Sequence, residues 1–386
     1  MVNSIVLPKI MQIGANALNL LPDTLASLGC RLPCIITDRT MLELGYVAKV
    51  EALLSQQHIK FGLFADTMPE PNDTSILAAV EMVKTGQYDC LIALGGGSAI
   101  DSAKAIALLA SHGGKMSDYK VPYQVTEISL PVVAIPTTAG TGSEATKVTV
   151  ISDSATDEKM LCMGTGLIPS AAIIDYQFTL SLPKRIAADT GIDALTHAIE
   201  AYVSQKSNPF SDQQAIAAMK LIAPNLIKVC QQPNNLEAKE AMMLGATLAG
   251  IAFSNASVGL VHGMSRPIGV HFHVPHGMSN AMLLPTITEY SLSGAPRKYA
   301  ECAKHMGLVS DSEDHTSAHQ ALINELKHIN QTLEVPTLAE FGVVKTEYEG
   351  LLMNMAEQAL ASGSPNNNPK VPVLSDIIKL YKKVWA

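Results

Sequence analysis

Short runs of almost wholly apolar residues punctuate the first half of the chain. PCIITD (33–38), YDCLIALGGG (88–97), LPVVAIP (130–136) and AAIIDY (171–176) read as strands buried on both faces, because no polar position alternates through them. Between and after them, TMLELGYVAKVEALLSQ (40–56) and DSAKAIALLA (101–110) carry apolar side chains at helical spacing. Buried strands separated by helices predict a parallel sheet covered on both faces. From about Leu182 the texture changes: Ile216, Met219, Ala223 and Leu226 fall on one helical face, similar stretches recur to Tyr381, and β-branched runs become rare. The expectation is an α/β domain over 1–180 and an all-helical domain over 181–386. The SLP turn at 181–183 is too short to be a flexible linker, so the two are expected to pack closely around a cleft. SGSPNNNPKVP (362–372) reads as a loop, and no internal repeat is evident.

Length and composition narrow this picture. At 386 residues, two or three domains are expected, and 47% hydrophobic residues suffice for substantial cores. The net charge of −8, from 27 basic and 35 acidic residues, comes with no Lys/Arg cluster or interleaved aromatic stripe, which argues against a nucleic-acid surface. The N-terminal MVNSIVLPKIMQIGANALNLLP lacks the pattern of a secretory signal, and no run of about 18 apolar residues predicts a membrane span. Six scattered cysteines without a CxxC pair read as reduced thiols of a cytoplasmic protein.

Two segments of the first half have the chemistry of a nucleotide site. LIALGGGSAIDSAKAIA places three glycines between a strand and a helix. There the backbone can approach a phosphate and free helical N–H groups point at it. Gly96, Gly97 and Ser98 are candidates for gripping a pyrophosphate; the alternative is a tight turn in which Ser98 or Asp101 caps the helix. Ile100 breaks the GxGxxG fingerprint, which disfavours an ordinary Rossmann turn. PTTAGTGSEAT (136–146) is a loose match to that fingerprint, but the β-branched KVTVI after it reads as a strand. A hydroxyl-rich loop fits better, with Thr137, Thr138 and Thr141 available to a ribose or nicotinamide, or else bonded within their own turn. Asp101 and Thr146, on the same two segments, complete the candidate cofactor set. Asp38, ending the first strand, can bind an adenosine ribose and repel a 2′-phosphate, favouring NAD over NADP, or can simply cap the next helix.

The second half offers metal ligands. Asp193 and His197 stand four apart in TGIDALTHAIEAY, so one helix face can present both to one cation. His262 in GLVHGM and His276 in VPHGMSN supply two more imidazoles. His271 and His273 compete with His276, which is preferred because PHG turns the chain and leaves its ring free.

GGGSAIDSAKA, IPTTAGTGSE, TGIDALTHAIEAY and GLVHGM followed by VPHG, in this order along the chain, resemble the iron-containing (group III) alcohol dehydrogenases, nearly end to end. The resemblance implies a dinucleotide-binding α/β domain and a helical metal domain, the architecture shared with dehydroquinate synthase. It implies Asp193, His197, His262 and His276 as ligands of Fe²⁺, with Zn²⁺ or another divalent ion as substitutes. It assigns Asp38, Gly96, Gly97, Ser98, Thr137, Thr138 and Lys159 to NAD, and implies a homodimer or larger homo-oligomer. The implied reaction is hydride transfer between NAD(H) and a small primary alcohol or aldehyde. One departure stands out: Arg266 occupies the place, four residues after His262, where many relatives carry a histidine thought to assist proton transfer. Arginine stays charged and cannot shuttle a proton at neutral pH, but its planar fork suits an anion: either it binds the acid group of a hydroxy acid or semialdehyde substrate, or it turns away to pair with a surface acid. The rival reading is a synthase of the dehydroquinate synthase type, disfavoured because those enzymes use a glutamate with two histidines.

Overall fold

The computed structural model describes residues 2–156 and 158–385. They form two compact units, one spanning 5–182 and the other 183–385 with residues 2–4. In the first, six parallel strands are β1 (Ile10–Ile13), β2 (Pro33–Ile36), β3 (Gly62–Phe64), β4 (Cys90–Gly95), β5 (Val132–Pro136) and β8 (Ala171–Ile174), in the order β1-β8-β5-β4-β2-β3. A separate antiparallel hairpin joins β6 (Val148–Ser152) to β7 (Lys159–Met163). The helices are α1 (Leu21–Leu28), α2 (Arg39–Glu43), α3 (Tyr46–Gln56), α4 (Leu77–Thr85) and α5 (Gly97–His112).

The apolar runs become the inner strands because side chains alternate across a sheet. Cys34, Ile36, Leu91, Ala93, Val132 and Ala134 pack into one core layer with α5 residues such as Ile100 and Ile106. Ile35, Cys90, Ile92, Leu94, Val133 and Ile135 pack into the opposite layer with Leu25, Val50 and Leu54. Both faces are covered, so every residue of β4 and β5 is buried. The helical stretch at 40–56 is divided: Gly45, at φ +72°, separates α2 from α3.

The second unit is helical throughout its described residues: α6 (Lys184–Val203), α7 (Pro209–Ile222), α8 (Leu226–Gln231), α9 (Leu236–Asn255), α10 (Leu260–Phe272) and α11 (His276–Ser291) precede five more, α12 to α16 (Pro296–His305, His315–Thr332, Leu338–Phe341, Lys345–Ala361 and Leu374–Trp385). The face read through Ile216, Met219, Ala223 and Leu226 is split between α7 and α8, because Pro224 cannot continue a helix. The 362–372 segment is irregular apart from one short 3₁₀ turn at Ser364–Asn367. No single helix among the described residues is long and apolar enough to cross a membrane.

Candidate metal centre and nucleotide turn

Three helices build the metal centre. α6 carries Asp193 and His197 one turn apart, α10 carries His262 in its first turn, and α11 begins with His276. Donor atoms of Asp193, His262 and His276 all lie within 4.8 Å of one another. Asp193 Oδ1 is 3.3 Å from His262 Nε2 and 3.8 Å from His276 Nε2. Metal–ligand bonds of about 2.0–2.2 Å place neighbouring ligand atoms about 3.0–3.5 Å apart, so these residues fit a divalent ion with little movement. His197 lies just outside that triplet, its Nδ1 3.9 Å from Asp193 Oδ2. Its ring stacks between His262 and Phe253 at centroid distances of 4.4 and 4.2 Å. Asp193 and His262 are buried, whereas the His276 side chain is 48% exposed, so the cluster is reachable from one side.

Two residues that the sequence reading missed hold this cluster. Glu200, seven after Asp193 on the same face of α6, accepts from His262 Nδ1 at 2.7 Å, Gly259 N at 2.8 Å and Val261 N at 2.6 Å. One carboxylate thus caps the start of α10, where unpaired N–H groups favour an anion, and accepts the His262 Nδ1–H bond, so that the neutral ring carries its lone pair on Nε2. Asn280, one turn into α11 from His276, donates from Nδ2 to Asp193 Oδ1 at 2.7 Å. The same i, i+4 spacing that flagged Asp193 and His197 relates His276 to Asn280 and was the available signal.

Electrostatically the cluster demands positive charge. Burial works against ionising Asp193, but His197, His276 and His262 hold its carboxyl well below the usual carboxylate range. Burial likewise opposes charge on His262, yet hydrogen bonds to Asp193 and Glu200 raise the ring to about 9. A cation held by Asp193, His262 and His276 would meet the same demand in place of that proton. Arg266 lies one turn beyond His262; its Nη1 donates to Ser364 Oγ at 3.2 Å. Burial lowers its pKa, opposed by the charge of Glu200. His271 instead pairs with Asn354 and Gln358, and His273 ends α10 at φ +54°, so neither joins the cluster.

In the first unit, adjacent parallel strands β2, β4 and β5 end side by side and deliver Asp38, the glycine turn and Thr137–Thr138 to one sheet edge. Carboxyl ends of parallel strands are where such sheets bind ligands. Asp38 caps α2 through Oδ1, which accepts from Met41 N at 3.1 Å; a Cβ on Gly95 would lie 3.6 Å from Oδ2, so the free oxygen faces the glycine turn. Thr138 and Thr141 lie over Gly96 and Gly97: a Cβ on Gly97 would sit 2.8 Å from Thr141 Cγ2. Thr137 is buried, its N–H donating to Gly95 O at 3.0 Å, and Thr141 Oγ1 accepts from Ser143 N at 3.3 Å within its own turn.

Other residues of this set are engaged within the protein. Neither Ser98 nor Asp101 caps α5: the N-cap is Gly96, and Ser98 Oγ donates to Pro69 O. Asp101 turns into the fold, accepting from Ser143 Oγ at 2.6 Å and Val150 N at 2.9 Å. Thr146 is buried and takes a hydrogen bond from Lys104 Nζ at 3.2 Å. Lys159 sits on β7 and pairs with Glu70 at 2.8 Å. Lys104, unremarked in the sequence, is buried and also donates to Ser143 Oγ, Thr146 O and Val148 O, tying the threonine loop to α5.

Comparison with known proteins settles the family. A model described as iron-containing alcohol dehydrogenase matches residues 8–176, and one described as Fe-containing alcohol dehydrogenase family, C-terminal, matches residues 187–385. The chain belongs to the iron-containing alcohol dehydrogenases. It is similar to Alcohol dehydrogenase 4 of Saccharomyces cerevisiae, 34% identical over 382 residues, which cover 98% of this chain and 97% of the yeast protein. Lactaldehyde reductase of Escherichia coli (strain K12) is 33% identical over 389 residues, covering all of both chains. The crystal structure of a 1,3-propanediol oxidoreductase superposes with a TM-score of 0.95 at 32% identity, again over the whole of both chains. This alcohol dehydrogenase is a metal-dependent, NAD(H)-linked oxidoreductase of small alcohols and aldehydes. The synthase reading therefore falls away.

Proposed function

We propose that Asp193, His197, His262 and His276 hold one divalent cation, Fe²⁺ in the native enzyme with Zn²⁺ as a workable substitute. NAD is received at the edge formed by Asp38, Gly96, Gly97, Ser98, Thr137 and Thr138, with Lys159 reaching the same cofactor. Residues 1–180 thus carry the dinucleotide and 181–386 the metal, in a cytoplasmic homo-oligomer. The observation that carries this reading is the convergence of Asp193, His262 and His276 donor atoms within 4.8 Å, on a side open at His276.

When bound, the cation supplies Lewis-acid polarisation of a carbonyl or hydroxyl oxygen. The protein's own contribution is preparation. Glu200 fixes the tautomer of His262, His197 is clamped between two rings, and buried Asp193 is held as a carboxylate. The N–H groups of the glycine turn at the start of α5 would receive a pyrophosphate, and Asp38, whose Oδ2 faces that turn, would take a ribose. Arg266 selects substrates bearing an acid group, such as an ω-semialdehyde or its hydroxy acid. Supporting this, its half-buried guanidinium has a hydroxyl partner, and no carboxylate pairs with it at ion-pair distance among the described residues.

His262→Ala tests the reading. The variant is expected to lose bound metal and most NADH-linked aldehyde reduction while still binding NADH by fluorescence titration. Full metal occupancy in the purified variant would contradict the ligand assignment.

A further inference from the structure

Asn280 is fully buried at the centre of the ligand cluster. Its Nδ2 lies 2.7 Å from Asp193 Oδ1, 3.2 Å from His262 Nε2 and 3.2 Å from His276 Nε2. The orientation of the amide follows from its neighbours. Turned by 180°, Oδ1 would face the Asp193 carboxylate oxygen at hydrogen-bond distance with no proton between them. Three lone-pair-bearing atoms from three helices therefore converge on one amide nitrogen, which carries two hydrogens. The His262 contact uses the Nε2 lone pair that the neutral ring has when its Nδ1–H is bonded to Glu200. The Oδ1 end is buried with no hydrogen-bond partner among the described residues, so the amide is seated by its nitrogen.

We propose that Asn280 is the positioning residue of the metal centre, aiming the lone pairs of Asp193, His262 and His276 at the point where a cation binds. The inference rests on the metal-centre reading above. Asn280 opposes a proton on the metal-facing nitrogens and shares its two hydrogens among the three donors, so the ligands are already gathered when the ion arrives. Groups that orient metal ligands in this way typically change metal affinity about 10–100-fold when removed.

The test uses the full chain, stripped with a chelator and reloaded with Zn²⁺ as an air-stable probe. Zn²⁺ affinity is measured by chelator competition, and thermal midpoints are recorded with and without the ion, for wild type, Asn280→Ala and the near-isosteric Asn280→Asp. Asn280→Ala is expected to bind Zn²⁺ about 10–100-fold more weakly, with a smaller gap between loaded and stripped midpoints. Asn280→Asp removes the donor and adds a carboxylate beside Asp193, so its stripped midpoint should fall and the gap should widen. Should Asn280→Ala fail to fold, that widening remains decisive. Zn²⁺ affinity within twofold of wild type in Asn280→Ala, or an unchanged gap in Asn280→Asp, would show Asn280 to be packing only. If wild type itself binds Zn²⁺ no better than His262→Ala, the metal-centre reading fails first, a separate result.

Discussion

Replacing Glu200 by glutamine keeps the shape of the side chain and removes its charge and one acceptor oxygen. In the structure, Oε1 accepts from Val261 N, while Oε2 accepts from both Gly259 N and His262 Nδ1. A glutamine oxygen placed at the Oε2 position keeps two of these bonds and turns an NH₂ against the Val261 N–H. A buried donor left unsatisfied costs about 1–3 kcal/mol, and the two surviving bonds lose their charge assistance, about 0.5–1 kcal/mol each. Placed the other way, the oxygen keeps Val261, orphans Gly259 and offers its NH₂ to His262 Nδ1. The imidazole then moves its proton to Nε2, the atom that should face the metal. The first arrangement costs about 2–5 kcal/mol and the second about 1.5–4 kcal/mol, which for a unit of this size lowers the thermal midpoint by roughly 5–20 °C. The second also weakens metal binding about 10–100-fold. Scanning calorimetry of stripped protein reads the first effect and chelator competition the second. A stripped midpoint within 2 °C of wild type, together with unchanged Zn²⁺ affinity, would refute the reasoning.

Three further predictions concern the rest of the enzyme. For Arg266→Ala, the ratio of kcat/KM for an ω-semialdehyde over its neutral analogue should drop about 10–100-fold, the worth of a charge-assisted pair of about 1.5–3 kcal/mol; an unmoved ratio discards the acidic substrate. Asp38→Asn keeps the capping oxygen and removes the charge, so its thermal midpoint should hold while the preference for NAD over NADP relaxes about tenfold or more; a fixed preference reduces Asp38 to a helix cap. Burial brings the Lys104 ammonium down to about 8 from an ordinary 10.5, outweighing the pull of Asp101 and Glu144. Between those values the unfolded chain holds a proton that the folded chain lacks, so Lys104 makes stability rise with pH. Subtracting a Lys104→Gln denaturation series from wild type should expose that slope between about pH 8 and 10.5, and a flat difference would contradict it.

The sequence pattern reveals elements whose residues share one fate along their length. β2, β4, β5 and β8 are buried at every residue, so each appears as an uninterrupted apolar run. β1 and β3 are short, partly exposed edge strands, so their identity comes from pairing with distant partners such as Ile10 with Ala171 and Cys34 with Gly62. Pairing of that kind leaves no periodicity to read. The inward turn of Asp101 has the same origin: it is fixed by Ser143 and Val150, more than forty residues away, and nothing local distinguishes it from a cap.

The metal centre divides along a different line. Its ligands are chemically conspicuous, and their spacing on α6 is a local fact, so Asp193 and His197 stand out in a single helix turn. Glu200 and Asn280 belong to residue types that usually cap helices or face water, and their importance lies in what they touch rather than in what they are. Glu200 becomes a buried hub only because α10 begins at its carboxylate, placing Gly259, Val261 and His262 around one group. Burying that charge is tolerable because three N–H groups replace its water. A carboxylate or amide at i+3, i+4 or i+7 from a candidate ligand, on a helix otherwise buried all round, is therefore the pattern to seek when reading such a centre from sequence. It marks the residues whose geometry, more than that of the ligands themselves, decides whether the lone pairs meet.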